Sequence, residues 1–326
     1  MESFGMGANG ANYTEVDDAF KPDDPFLGPL KSVAPWNFKV FAAWMLLVTS
    51  LSLSENFLVM FATYKFKQLR QPLNYIIVNL SLADFLVSLI GGTLSIVTNY
   101  RGYFFLGTWA CVLEGFAVTF FGIVALWSLA ILAFERFFVI CRPWGNTRLR
   151  GKHATLGLLF VWAFSFICTI PPVLGWSITL VHHLEDSYKP SLLHLAEAYN
   201  NLECLICYHQ IIPVFAVSNT HGRLVNTRKP ERQVSRMVVV MILAFMVAWT
   251  PYALFSIIVT IQPTIYLDPR LAAVPAFFAK TAAVYNPVIY VFMNKQLFCI
   301  NVGSEKIMVA AGTILNVVSS CLTAGY

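Results

Sequence analysis

Charged side chains are scarce in this sequence. Asp, Glu, Lys and Arg make up 12% of the 326 residues and hydrophobic residues make up 57%, whereas a soluble domain carries about 25% charged residues. The mean hydropathy of +0.65 is likewise too high for a surface that faces water. The composition therefore excludes a disordered chain, a collagen-like fibre and a soluble enzyme, and it favours a protein dissolved in lipid.

Other features are missing as well. The 7 cysteines are too few and too scattered for a disulfide framework, although one pair on an oxidising face is compatible with them. No glycine-rich phosphate loop or hydrolytic triad stands out, so we predict that the chain is not an enzyme. The net charge of +5 requires no nucleic acid. The first 35 residues lack the apolar core of a cleavable leader, so the first span is expected to direct membrane insertion.

Long apolar runs dominate what remains. A helix of about 20 apolar residues crosses about 30 Å of hydrocarbon, and runs of that length occur repeatedly. They are continuous rather than alternating, which favours helices over barrel strands. We predict an all-α membrane protein with six clear spans, at Val40–Tyr64, Leu73–Thr98, Gly115–Phe134, Ala154–Leu174, Met237–Ile261 and Leu271–Met293.

Basic residues in the loops predict the orientation. They follow the first and third runs and precede the fifth, and such loops are usually cytoplasmic. The amino terminus is then extracellular, where the sequon at Asn12 can be glycosylated. The clusters are Lys65, Lys67 and Arg70; Arg142, Arg148, Arg150 and Lys152; and Arg223, Arg228, Lys229, Arg232 and Arg236.

This orientation requires one more crossing between the fourth run and Arg223. Residues 178–217 contain five charged residues and four of the six histidines. The best apolar piece, Cys204–Val217, has about 14 residues and includes His209 and Pro213, which is short for a span. Either this piece crosses the membrane poorly or the predicted topology is broken.

Several ionisable residues lie inside the runs or directly at their ends, and a charge at membrane depth costs at least about 2.5 kcal/mol. Glu55 is the one charge within Val40–Tyr64, and the residues considered for a role are Asp84, Glu114, Lys280 and the pair Glu135 and Arg136. Asp84 is either a polar anchor bonded to Asn56 or Asn286, or a cation site or switch. Glu135 and Arg136 form either an interfacial pair or a switch in which Arg136 exchanges Glu135 and Glu231 for an intracellular partner. Pro251 and Pro287 interrupt two spans as hinges or packing devices.

Lys280 lies too deep in its run to reach the interface easily. Burial favours the neutral amine, which is a nucleophile that condenses with a carbonyl as a Schiff base. The alternative is a purely structural ion pair with a buried carboxylate. Glu114 is the natural anionic partner under both interpretations.

These residues together resemble the rhodopsin-like G-protein-coupled receptors. Lys280, within residues 278–287 (FAKTAAVYNP), looks like the retinal attachment site of an opsin, and its combination with Glu114 narrows the resemblance to opsins. Residues 36–176 and 218–296 look most like the vertebrate ancient opsins, a non-visual branch, with the pinopsins next. The other matching motifs are Asn56, Leu82-Ala83-Asp84, Cys111, Glu135-Arg136-Phe137, Trp162 and Trp249-Thr250-Pro251-Tyr252.

The resemblance implies a photoreceptor that binds 11-cis retinal covalently, as a protonated Schiff base on Lys280 with Glu114 as counterion. Light would change the fit of retinal against the bundle. The run at Met237–Ile261, which corresponds to the sixth helix of the family, would then move and free Arg136 for a heterotrimeric G protein. The other implied cofactor contacts are Gly122, Trp249 and Tyr252. The implied coupling and switch residues are Glu135, Arg136, Glu231, Asn286, Pro287, Tyr290, Asp84 and Asn56. A multi-pass plasma-membrane receptor in contact with lipid, and a receptor dimer, are expected.

The resemblance does not extend to the whole chain. We divide the sequence into an extracellular terminus (1–36), a receptor domain (37–296) and an atypical tail (297–326), with the segment 178–217 replacing the second extracellular loop and fifth helix. Cys111 then stays unpaired or finds Cys204 or Cys207. Cys204 and Cys207 with His209 are too weak a motif to predict a metal site.

Two other functions are compatible with these features. A splice isoform could insert into the membrane, with retention in the endoplasmic reticulum, without binding retinal or signalling. A remote alternative is an ion or proton transporter that uses Asp84, Glu114 and Lys280, but the inverted repeat expected of a transporter is not evident.

Overall fold

A computed structural model describes residues 28–29, 33–141, 151–173, 229–261 and 269–293. Regular structure in these ranges is entirely helical, which confirms the all-α prediction. Within the described ranges, six helical stretches are long and apolar enough to cross a membrane. The helices are α1 (Pro35–Lys65), α2 (Pro72–Val87), α3 (Thr93–Arg101), α4 (Thr108–Cys141), α5 (Gly151–Val173), α6 (Lys229–Ile261), α7 (Pro269–Lys280) and α8 (Ala282–Met293). The segment 178–217 and the tail 297–326 lie outside the described residues.

Local sequence explains where several helices begin and end. Pro35 and Pro72 occupy the first positions of α1 and α2, where a missing N–H costs no hydrogen bond. Gly102 ends α3 with a φ of 83°, which glycine adopts without strain. The third span is longer than its uncharged run predicts, since α4 covers Thr108–Cys141. The helix continues past both ends of the uncharged run, so Glu114, Glu135 and Arg136 all lie within it.

The helices form one packed bundle with α2 and α4 at its centre. Helix α2 packs against α1, α4, α5 and α8, and α4 also packs against α5 and α6. The core contains Ile76, Leu80, Val124, Leu132, Met241 and Tyr290. Large apolar side chains also cover the outside of the bundle, among them Phe57, Leu159, Ile167, Val247 and Phe292. An apolar exterior around an apolar core is the distribution expected when lipid is the solvent.

A buried polar chain links three helices at the bundle centre. Trp162 on α5 donates from Nε1 to Asn79 Oδ1 on α2 at 2.8 Å. Asn79 in turn donates to Ser128 Oγ on α4 at 2.9 Å, and Ser128 donates to the carbonyl of Val124 at 2.7 Å. Because each polar group has a partner, the chain fixes the relative positions of the helices without a desolvation penalty.

The second span is not the single regular helix that its apolar run predicts. A π-turn at Ser88–Gly92 separates α2 from α3. A β-carbon on Gly91 would overlap Val118 of α4, and one on Gly92 would overlap Thr49 of α1. The two glycines therefore let this turn pack closely against both neighbouring helices, and the turn changes the direction in which the side chains of α3 point.

We expect Gly92→Ala to destabilise the protein by about 1–3 kcal/mol because the new methyl group overlaps the side chain of Thr49. Thermal unfolding in detergent measures the effect. The matched control is Gly115→Ala, since a β-carbon on Gly115 meets nothing within 4 Å. Adding Thr49→Ala to Gly92→Ala should recover part of the loss. Equal Tm values for the two alanine variants would contradict this packing.

The last span is also interrupted, at Thr281 between α7 and α8. Pro287 has no N–H to bond the carbonyl of Ala283 four residues earlier. That carbonyl accepts instead from Asn56 Nδ2 at 3.0 Å and from Ser52 Oγ at 3.4 Å, both on α1. The single run from Leu271 to Met293 is thus two helices, with Lys280 as the last residue of the first.

Candidate functional site

Lys280 and Glu114 form an ion pair inside the bundle. The Nζ atom of Lys280, on α7, lies 2.8 Å from Oε1 of Glu114, on the second turn of α4. The two side chains are 18% and 16% exposed, respectively. Water solvates neither charge well at this position, so each group compensates the charge of the other. The two residues selected from the sequence as a natural pair are therefore in direct contact.

A third residue, Ser95 on α3, completes this cluster. Its hydroxyl donates to Glu114 Oε1 and accepts from Lys280 Nζ, and the residue is 2% exposed. Sequence reasoning missed Ser95 because a serine in an apolar run is an ordinary helix residue. Its role depends on the π-turn just before it, which no sequence pattern indicated. We call Ser95, Glu114 and Lys280 the polar triad.

We expect Ser95→Ala to lower the free energy of unfolding by about 1.5–3 kcal/mol, the range for hydrogen bonds to charged groups. Ser95→Thr keeps the hydroxyl and should lose less. Thermal unfolding of the purified protein gives the comparison. Ser54→Ala is the matched control, because the Ser54 hydroxyl is exposed and bonds only to the carbonyl of Ser50 on its own helix. A Tm for Ser95→Ala equal to that of the control would rule out the predicted contribution.

An aromatic cluster on α6 lies against α4. The edge of the Trp249 indole ring is 3.5 Å from where a β-carbon of Gly122 would be. Trp249 stacks on Phe245 at a centroid distance of 5.7 Å and meets Tyr252 edge-on at 6.1 Å. Its Nε1 is buried and has no hydrogen-bond partner among the described residues. Gly122 follows Glu114 by eight positions on α4, which corresponds to about 12 Å along the helix axis.

A second polar group joins α1, α2 and α8. Asn286 Nδ2 donates to Asp84 Oδ2 at 2.9 Å, and both residues are buried. Of the two partners considered for Asp84, Asn286 therefore makes the contact. Asn56 donates to the carbonyls of Ser52 and Ala283 instead. Tyr290, on the same helix as Asn286, is 1% exposed.

At the end of α4, Arg136 Nε donates to Glu135 Oε2, and both residues are buried. Glu231 lies in α6, but its side chain is outside the described part of the chain. The exchange of Arg136 between Glu135 and Glu231 therefore stays a prediction.

Cys111 lies one turn before Glu114 and forms no disulfide with another described cysteine. Its predicted partners Cys204 and Cys207, together with His209 and the sequon at Asn12, lie outside the described residues. The disulfide and the glycosylation site stay predictions.

Comparison with known proteins places the chain in a family. The profile of the 7 transmembrane receptor (rhodopsin family) matches residues 55–191 and 198–290. Opsin-VA from Rutilus rutilus is 66% identical, with 91% of this chain and 79% of that protein aligned. Vertebrate ancient opsin from Salmo salar is 63% identical over 91% of this chain and 96% of its own length. The chain belongs to the opsins of the rhodopsin family.

Membership in the opsins confirms the family resemblance stated from the residues. The fold agrees, since the crystal structure of squid rhodopsin matches with a TM-score of 0.68 at 21% identity, covering 86% of this chain and 88% of that one. The opsin family consists of receptors rather than enzymes, and its members are multi-pass membrane proteins. This opsin is therefore a membrane receptor with a rhodopsin-like helical bundle.

Proposed function

We propose that this opsin is a non-visual photoreceptor that couples light absorption to a heterotrimeric G protein. In this proposal 11-cis retinal is bound as a protonated Schiff base on Lys280, with Glu114 as its counterion. The observation that carries it is the ion pair between Lys280 Nζ and Glu114 Oε1, at 2.8 Å inside the bundle. An amine at this depth is costly to bury and calls for a function beyond packing.

The residues present fit retinal in three respects. Lys280 supplies a primary amine beside a carboxylate, which is what a covalently bound aldehyde requires. Trp249, Phe245 and Tyr252 form an aromatic wall against α4 at Gly122, which suits the apolar body of such a molecule. Glu114 and Gly122 are about 12 Å apart along the axis of α4, and this distance suits an elongated apolar molecule. Bound retinal would supply a conjugated polyene that light isomerises.

Glu114 compensates the positive charge of the nitrogen at this site. A cationic nitrogen in a poorly solvated interior keeps its proton only when an anion is close. Glu114 lies within hydrogen-bond distance of that nitrogen, and the hydroxyl of Ser95 bonds to the same carboxylate oxygen. The carboxylate therefore holds the proton on the nitrogen at rest and is placed to accept it afterwards.

The aromatic cluster is placed to convert a change of ligand shape into helix movement. Trp249 and Tyr252 lie on α6 beside Pro251, which removes one backbone hydrogen bond from that helix. A changed contact at Trp249 would therefore shift the equilibrium between two positions of α6. Movement of α6 away from α4 would separate Arg136 from Glu231, its predicted partner on α6, and open this end of α4 to a G protein.

The charge distribution also bears on the membrane in which the receptor lies and on its orientation there. The basic loops favour a plasma-membrane receptor with its amino terminus outside, where Asn12 would be glycosylated. Lipid surrounds the apolar exterior of the bundle, and pairing of two receptors within the membrane is part of the proposal.

Reconstitution with 11-cis retinal tests the function directly. We expect a visible absorbance band, bleached by light, and light-dependent nucleotide exchange on a G protein. Borohydride reduction followed by peptide mapping should place the retinyl group on Lys280. Absence of any visible band in correctly inserted protein would refute the pigment and leave the isoform that cannot bind retinal.

A further inference from the structure

A second acidic residue, Glu55, lies inside the bundle away from the polar triad. It belongs to the inward stripe of α1, together with Thr49, Ser52, Asn56 and Val59. Glu55 is 9% exposed, and its Oε2 atom is buried without a hydrogen-bond partner among the described residues. A carboxyl group in a membrane span with an unsatisfied oxygen requires an explanation.

No cation in the described structure neutralises this group. Lys280 is paired with Glu114, and no ion pair between described side chains includes Glu55. Asp84 bonds to Asn286. The described titratable side chains on the elements that pack against α1 are Lys67, Tyr75, Asp84, Tyr100, Arg101, Lys280, Tyr285 and Tyr290.

An ionised carboxylate in this environment would be a buried charge without compensation. The free-energy cost of such a charge in protein interiors is large enough that the group binds a proton instead. The neutral acid also offers an O–H donor. The neighbouring residue Asn56 has a buried Oδ1 that likewise lacks a donor among the described residues, so the described part of this region has too few donors for its acceptors.

We propose that Glu55 is a proton-binding site, held as a neutral carboxylic acid in the resting protein. This site is separate from the polar triad and from the pair formed by Asp84 and Asn286. Its position gives it a link to the last span, because Ser52 and Asn56, on the same stripe, bind the carbonyl of Ala283 next to the break that follows Lys280. Loss of the proton would place a negative charge beside this contact between α1 and α8.

Infrared spectroscopy of the full chain in lipid membranes tests the proposal without retinal. Labelling the glutamate carboxyl carbons with 13C separates glutamate bands from those of aspartate. We expect the unmodified protein at neutral pH to show a protonated-carboxyl stretch that shifts in D2O. Glu55→Gln should remove this band, and Glu55→Asp should move its signal to the unlabelled aspartate region. Ser54→Ala changes a neighbouring, exposed side chain and should leave the band unchanged.

Thermal unfolding provides an independent measurement. Glutamine has the shape of the neutral acid and no charge, so Glu55→Gln should match the Tm of the unmodified protein at neutral pH. The proposal is overturned if the protonated band persists unchanged in Glu55→Gln, or if that variant loses an ionised-carboxylate band together with several degrees of Tm. The first result would assign the protonated band to another glutamate, and the second would show that Glu55 is an anion with a bound cation. Because the test needs neither light nor retinal, its failure would leave the proposed function untouched.

Discussion

Lys280→Ala is expected to abolish the visible absorbance band of the retinal-reconstituted protein. The variant removes the amine with which the aldehyde condenses, and Lys280 is the lysine placed beside a partly buried carboxylate in the described bundle. The band should fall to the level of protein that received no retinal, whereas a mere packing defect would reduce the yield and leave the spectral shape unchanged. Absorbance after purification in the dark, normalised to the 280 nm protein peak, measures the difference.

The matched control for this variant is Lys65→Ala. Lys65 is the last residue of α1 and lies over the rings of Phe61 and Phe66 at 5.7 and 6.0 Å from their centroids. It should therefore be dispensable for the pigment. Lys280→Arg keeps a cation beside Glu114 but provides no amine that condenses under these conditions. A full visible band in either Lys280 variant would mean that the chromophore is attached elsewhere.

The spans and the ion pair could be predicted because each depends on a strong local signal. Runs of about 20 apolar residues have few alternatives to a membrane helix, and an ionisable residue within such a run is rare enough to attract attention. Lys280 and Glu114 were found in this way. Their contact followed because two opposite charges inside one bundle are costly to keep apart.

The details that shape the site depend on contacts between helices, and the sequence did not indicate them. The π-turn at Ser88–Gly92 exists where α1 and α4 leave room only for glycine at positions 91 and 92. Asn56 and Ser52 on α1 satisfy the carbonyl of Ala283, which Pro287 leaves without a helical partner just after the break at Thr281. Ser95 becomes part of the polar triad only after the π-turn has set the direction of α3. None of these features has a periodicity to detect.

Glu55 is a different case, because the sequence carries a signal without its explanation. It is the single charge in the first apolar run, Val40–Tyr64, and no motif or nearby cation in the sequence accounts for it. Its burial and unsatisfied oxygen became evident only once α1 was packed against its neighbours. A charge inside a span is therefore informative even when no family pattern explains it.

Glu114→Gln should shift the reconstituted pigment from a visible to a near-ultraviolet band at neutral pH. The substitution leaves a buried cationic nitrogen without its anion, and removing one partner of a buried pair costs about 3–5 kcal/mol. Because one pH unit corresponds to about 1.36 kcal/mol, the pH at which half of the chromophore is protonated should fall by about 2–4 units. A spectrophotometric pH titration in the dark measures this midpoint. Glu114→Asp, which retains the anion, should shift it less, and Glu135→Gln, at the other end of α4, should not shift it. If Glu114→Gln titrates with the midpoint of the unmodified pigment, another group neutralises the nitrogen, and the contact between Lys280 and Glu114 is structural rather than part of the light-sensing chemistry.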